Sequence, residues 1–404
     1  MLTPEQITEL VETMYPLLDG LNAWITTDMI KRIMARLGRG EDFMLTASDD
    51  WQLQVYQAAG GHLEAVQQEI ARFTQRSVAE VAAIFEDAGI KAAEADNAFY
   101  VAHGLADQPL AQSERMIRVL EDTYQRTNGT IQNFTRTTAS ASQKRLINVL
   151  DTAHFQVMTG ATSYTQAVKD AVNAVVSQQT DVIYPTGHVD TIETAVLRAV
   201  RTGVAQAAGN MAVEGMIERD WDLIRVSAHI GARYGDGGEN PGNHFWWQGK
   251  LYSRSGKDPR YPKFDVTGYG TGEGLCGWNC SHSFGPGDPD HNPFKDFDSE
   301  ENKRVYDLSQ KQRKHEARIR RSKLKLLGLR TAINEAKDAE LRATLQDDYG
   351  KAAQILQKQN AAYNKFCEDN NLKRLSDRLN VARWNRSEAA KATAAARKRN
   401  NATQ

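Results

Sequence analysis

The stretch GLCGWNCSHSFG, Gly274 to Gly285, gathers Cys276, Cys280 and His282, and so holds two of the three cysteines in the chain. His229 and His244 lie upstream. A Cys-x3-Cys pair has a spacing common among zinc ligands, and Cys280-x-His282 adds a neighbour. In extended chain, residues two apart point to the same side. Cys280 and His282 can then share an ion with His229. The candidate ligand set is Cys276, Cys280, His282, His229 and His244, with structural zinc as the single candidate cofactor. The usual second, well-spaced ligand pair is missing. The competing reading has the histidines bonding backbone carbonyls and the cysteines acting as small buried apolar groups. A cysteine nucleophile with a histidine base, Cys280 or Cys276 with His229 or His244, uses the same residues. Nothing in the sequence fixes an oxyanion hole or an orienting third group, so no catalytic residue is assigned.

The elements that must position these side chains begin at Trp221. Ile224, Val226, Ala228 and Ile230 alternate with Arg225, Ser227 and His229. That period of two predicts a strand with one polar face. His244 to Tyr252 and Pro262 to Tyr269 read as further short strands. Trp246 and Trp247 then point to opposite faces, one into the core and one outward. Gly231 to Asn240 is glycine-rich but lacks the Gly-Lys-Ser/Thr ending of a phosphate loop. The region 220–298 is therefore expected to be a compact, loop-rich α+β module.

The rest of the chain reads as helix. Thr3-Pro4-Glu5-Gln6 is a helix start, with Thr3 as cap, Pro4 at the first position and Gln6 completing a capping box. Asp19-Gly20 is expected to break that first helix, and Gly38 to end a second as a left-handed cap. Pro185-Thr186-Gly187 marks a turn. Val189 to Arg219 reads as one long helix carrying Gly203, Ala207 and Ala208, small residues that let another backbone approach. A later helix places Ala352, Ile355, Leu356, Tyr363 and Phe366 on one side, and 397–404 is expected to fray. The fold class is mostly α with a small loop-rich α+β module. The expected organisation is an N-terminal helical domain (1–188), a connecting helix (189–219), the module (220–298) and a basic helical tail (299–404).

The formal net charge of −1 conceals an asymmetry. From Ser299 onward the chain has 25 Lys and Arg against 13 Asp and Glu; the residues before it have 25 against 38. An acidic body with a basic tail points to an anionic partner for the tail. Arg313, Lys314, Arg318, Arg320, Arg321 and Lys323 are the candidate contacts with DNA or a protein partner. A solvated basic helix face is the plainer alternative. Three cysteines is too few and odd for a secreted disulfide scaffold. The N-terminus lacks a basic region followed by an apolar run, and no stretch has the roughly 18 uninterrupted apolar residues of a spanning helix. Synthesis in a reducing cytoplasm without a membrane partner is expected.

Four stretches taken together resemble a known family. They are Ser227-Ala-His-Ile-Gly-Ala-Arg233, His244-Phe-Trp-Trp-Gln-Gly-Lys-Leu-Tyr-Ser253, Gly274-Leu-Cys-Gly-Trp-Asn-Cys-Ser-His282, and Tyr306 to Arg320. Their order and spacing are similar to the phage minor capsid protein 2 family and, more distantly, to the Mu F-like head morphogenesis proteins of tailed phages. The resemblance runs from about Thr194 to Lys391. The motif residues it selects for docking are His229, Gly231, Arg233, His244, Trp247, Gln248, Gly249, Tyr252, Gly277, Trp278, Asn279, Cys280 and His282. The family motif has an Arg between its Cys and His, where this chain has Ser281; a cation is lost at that point. The resemblance implies a structural virion protein made in the host bacterial cytoplasm and lying inside the head at the portal vertex. Its implied partners are the portal protein, other capsid or scaffold proteins and packaged DNA, and it carries no catalytic residues. A zinc- or thiol-dependent enzyme built on His229, His244, Cys280 and His282 is the alternative. In the capsid reading the Gly277–His282 stretch holds the module's shape, with its glycines at tight turns and Trp278 in the core.

Overall fold

A computed structural model describes residues 1–44, 48–177, 181–184 and 186–403, without the side chains of 42, 43, 48, 49, 402 and 403. In chain order the helices and strands are α1 (Pro4–Glu12), α2 (Tyr15–Leu37), α3 (Glu41–Met44), α4 (Ser48–Ala102), α5 (Glu114–Met158), α6 (Tyr164–Val176), β1 (Asp181–Ile183), β2 (Val189–Thr191), α7 (Ile192–Glu218), β3 (Leu223–Val226), α8 (His244–Trp247), β4 (Leu251–Ser253), β5 (Phe284–Pro286), α9 (Ser299–Glu335), α10 (Ala339–Asp369) and α11 (Arg386–Thr403). The fold is mostly α with small antiparallel sheets, as the sequence predicts.

The compact units do not follow chain order. One comprises Met1–Met14, Gln75–Asn133 and Thr194–Lys311; the other comprises Tyr15–Thr74, Phe134–Glu193 and Gln312–Gln404. Helices α4, α5 and α9 each contribute residues to both.

In the first unit, α1 starts as expected. The Thr3 hydroxyl accepts the Gln6 N–H at 3.2 Å and the Gln6 side chain accepts the Thr3 N–H at 2.8 Å. The core is made by Ile84, Phe85, Ala88 and Ala92 of α4 with Val200, Val204, Met211 and Met216 of α7. Helix α7 begins at Ile192, three residues later than the sequence reading, because 189–191 pair with β1. Its small residues serve close packing. A Cβ at Gly203 would run into the Thr127 hydroxyl and the Phe85 ring, and one at Gly209 would lie 2.7 Å from Phe284. A three-stranded antiparallel sheet, ordered β4-β3-β5, carries the loop-rich module. Arg225 pairs with Leu251 on one side and Gly285 on the other.

That central strand is shorter than the alternation implied and has no polar face. Ile224, Arg225, Val226 and Ser227 are all buried. The terminal nitrogens of the Arg225 guanidinium donate to the carbonyls of Gly249 (3.2 Å), Asp288 (2.7 Å) and His291 (3.2 Å). Two other expected strands also differ. His244–Trp247 is one helical turn capped by Asn243, and Phe264–Thr267 is a 3-10 turn. Asn243 Oδ1 accepts the Trp246 N–H at 3.2 Å, a local cap that competes with the sheet ladder. Trp247 is fully buried and Trp246 partly exposed, so one faces the core and one outward through helical rather than strand geometry.

In the second unit, α2 runs straight through Asp19-Gly20, and the break falls at Thr13-Met14 instead. Gly20 costs a helix only about 1 kcal/mol, and the apolar face from Leu18 to Leu37 is buried. The left-handed residue after α2 is Gly40, not Gly38. Gly187 is left-handed in the β1–β2 turn, and Pro185 lies outside the described residues. In α10, Ala352, Leu356 and Tyr363 are buried, whereas Ile355 is half exposed. Residues 397–403 continue α11 rather than fray, and Gln404 lies outside the described residues.

Candidate functional site

The Gly274–Gly285 segment folds back on itself. Trp278 N–H donates to the Gly272 carbonyl at 2.6 Å, Gly277 N–H to Gly274 at 3.0 Å and Cys280 N–H to Gly277 at 3.2 Å. The left-handed positions in this turn are not its glycines. They are Cys276 (φ 58°) and Asn279 (φ 56°). The glycines serve another purpose, because a Cβ at Gly277 would lie 2.5 Å from the Thr271 and Gly272 carbonyls. Close backbone approach, not positive φ, requires glycine there. Trp278 is 58% exposed and packs over Gly272, so it supplies surface rather than the core expected of it. Arg233 donates to the Trp278 carbonyl and, at 3.4 Å, to the Glu273 carbonyl.

This turn delivers His282, itself fully buried, into an aromatic cluster. Its ring stacks on His229 at 4.4 Å between centroids and meets Trp247 edge-on at 4.8 Å and His244 edge-on at 5.5 Å. Gln248 Oε1 accepts the His229 backbone N–H at 3.1 Å and faces His282 Nε2 at 2.9 Å. An amide oxygen only accepts, so His282 carries its proton on Nε2 and leaves Nδ1 as acceptor. Cys280 Sγ lies 3.6 Å from that Nδ1 and accepts the His282 backbone N–H at 3.4 Å. His244 Nε2 donates to the Glu273 carbonyl at 2.8 Å, and His229 Nδ1 to the Ile230 carbonyl at 3.0 Å. Backbone bonds thus hold two of the three imidazoles, as one of the sequence readings expects.

Burial sets the electrostatics. It lowers His244 to about 3, helped by the Arg233 charge, and holds His282 well below the usual histidine range, with His229 and His244 adding to the effect. Both rings are neutral at pH 7. Burial also pushes the Cys280 thiol up to about 11 and the Cys276 thiol well above its ordinary value. An activated nucleophile needs the opposite shift. The geometry suits buried neutral chemistry, packing or metal ligation, better than covalent catalysis.

Of the five candidate ligands, the structure brings His244, Cys280 and His282 together, with one ligand atom from each within 4.8 Å of the others. The sequence reading paired Cys280 and His282 with His229, but His229 stacks face-on against His282 instead of converging with it. Cys276 Sγ turns to the His282 carbonyl at 3.6 Å. The remaining motif residues build the frame. Tyr252 Oη donates to the Trp247 carbonyl at 2.8 Å, and Gly231 and Gly249 are left-handed. Asn302, which no motif flagged, binds both the N–H (2.8 Å) and the carbonyl (3.0 Å) of Ala232 and ties α9 to the module. Beside the cluster lies a groove of about 480 Å³ lined by Tyr234, Phe245, Trp246, Lys250, Lys295 and Phe297 among others.

A family model, phage minor capsid protein 2, matches residues 2–366. The chain belongs to this family. The match reaches well beyond the motif-bearing region, taking in the N-terminal helices and stopping short of α11. No curated protein and no solved structure gives a match. A member of this family is a structural minor capsid protein of a bacteriophage, a virion component that works among other head proteins. Among the described residues no helix of this capsid protein is long and apolar enough to cross a membrane.

The basic residues of α9 divide into two groups. Arg313, Lys314, Arg318 and Arg321 are exposed. Arg320 and Lys323 are used internally. Arg320 pairs with buried Glu193 at 2.7 Å and donates to the Arg378 carbonyl at 2.6 Å, and Lys323 donates to the Leu379 carbonyl at 2.5 Å. Burial, with the Arg374 charge, lowers Lys323 to about 8.

Proposed function

We propose that this minor capsid protein docks on the portal inside the phage head and aids head assembly or genome packaging and ejection. The observation that carries the reading is the outward basic face of α9. Lys314, Arg318 and Arg321 recur at spacings of four and three, so they share one helix face, with Arg313 beside them. Such a face on an otherwise acidic chain suits an anionic partner, either an acidic portal surface or packaged DNA. The module offers the second docking platform, through exposed Trp278 and the aromatic groove beside Trp246.

The test is a pull-down of the full chain with the portal protein of the same phage. Deleting 299–404 is unsuitable, because α9 supplies residues to both compact units. Reversing the charge at Arg313, Lys314, Arg318 and Arg321 leaves the internal bonds intact. Retention of the wild-type chain on the portal ring, lost in the reversed variant, is the expected result. Absence of wild-type binding overturns portal docking. DNA contact is read separately: binding through phosphates weakens steeply with salt and without sequence preference, and a flat salt response excludes it.

A further inference from the structure

We propose that His244, Cys280 and His282 form a site for a divalent transition metal, zinc being the best-matched ion. The three residues are 2%, 0% and 1% exposed, and their ligand atoms lie within 4.8 Å of one another. The 3.6 Å between Cys280 Sγ and His282 Nδ1 is close to the edge of a zinc tetrahedron with one sulfur and one nitrogen ligand, about 3.6 Å from ordinary bond lengths.

The surroundings orient the ligands as a metal requires. A metal-binding imidazole almost always donates its other N–H to a fixed acceptor. His282 does this through Nε2 to Gln248 Oε1, and the His229 backbone N–H fixes which way that amide points. His244 does it through Nε2 to the Glu273 carbonyl. Both rings are therefore held in the tautomer that offers Nδ1. Cys280 Sγ takes the His282 backbone N–H at 3.4 Å, which fixes the sulfur beside the ring.

Binding needs no redox step. The Cys280 S–H bond breaks and its proton passes to solvent. The metal gains one thiolate and two neutral imidazole ligands, and a water completes the tetrahedron. One proton is released per ion. A soft sulfur with two imidazoles selects zinc, cobalt or a neighbouring late transition metal over magnesium or calcium. The ion would link the α8 turn, which carries His244, to the turn that precedes β5. The strands of this module are three or four residues long, so such a link adds stability that a small sheet cannot supply. The site is independent of portal docking.

The experiment uses the full chain, stripped of metal by a chelator and titrated with Co²⁺ and then Zn²⁺. The expected result is one equivalent of Co²⁺ with visible tetrahedral bands and a near-ultraviolet thiolate band, displaced by Zn²⁺, with a rise in Tm. Cys280→Ser should abolish the thiolate band and weaken binding by about tenfold or more, whereas Cys276→Ser should keep the band. A stripped wild-type chain that stays folded by circular dichroism yet binds neither ion at micromolar concentration overturns the proposal, whether or not the variants fold. A thiolate band that survives Cys280→Ser and vanishes in Cys276→Ser overturns it as well.

Discussion

Gln248 and His282 are bound to each other at 2.9 Å through Oε1 and Nε2, and the same glutamine oxygen takes the His229 backbone N–H at 3.1 Å. One buried amide therefore sets the tautomer of one imidazole and anchors the loop that carries another. The α8 turn, the segment after β3 and the residues just before β5 meet at this atom.

Gln248→Ala should expose the importance of that oxygen. It leaves two donors unpaired, the part-buried His229 N–H and the buried His282 Nε2–H. Each unsatisfied buried group costs about 1–3 kcal/mol. A clear loss in chemical denaturation of the full chain is expected. Gln248→Glu, which keeps an acceptor, should recover part of it. Equal losses in the two variants would mean that volume, not the bond, is what Gln248 supplies.

Two helical glycines should respond in opposite directions. Gly20 in α2 has open space around its missing Cβ, so Gly20→Ala should stabilise the chain by about 0.5–1 kcal/mol. Gly203 in α7 has none, because the Thr127 hydroxyl and the Phe85 ring already fill that position. Gly203→Ala gains the same propensity but overpacks the core, for a net loss of about 1–2 kcal/mol. Thermal melts of the two variants beside wild type check both signs.

Asp19 should give the chain a pH-dependent penalty. Its pKa is raised to about 7, chiefly by burial and then by nearby Glu193, against the opposing charges of Arg320 and Lys323. An acid with a raised folded pKa is fully accommodated below its unfolded value, near 3.9. Its contribution to stability is lost as pH rises from there through 7. Asp19→Asn should therefore match wild type near pH 4 and exceed it at pH 8. Each pH unit of separation is worth about 1.4 kcal/mol, so the gap at pH 8 is on the order of a few kcal/mol. Denaturation curves of both proteins across this range test it, and a constant difference would contradict the assignment to Asp19.

The sequence alone determined the composition-level features and the local ones. The Thr3–Gln6 capping box, the helical periodicity, the small-residue face of α7 and the start of α9 at Ser299 depend on residues within a few positions of one another, so they are visible in one dimension. The family could also be read from the order of four motifs, and the match over residues 2–366 carries it into the N-terminal helices. The tertiary structure decided everything that depends on burial. Arg225 looked like a polar strand face, yet three distant carbonyls make it core. Trp278 looked like core and lies outside. Arg320 belonged to a run of basic residues until Glu193 claimed it as an internal partner. The choice of His244 over His229 beside Cys280 and His282 depends on a single helical turn at His244–Trp247. The local pattern reads as a strand there, and the structure has a helical turn instead. Asn243 capping the turn and Trp247 packing against His282 fixed the outcome, and that packing joins residues 35 apart in the chain.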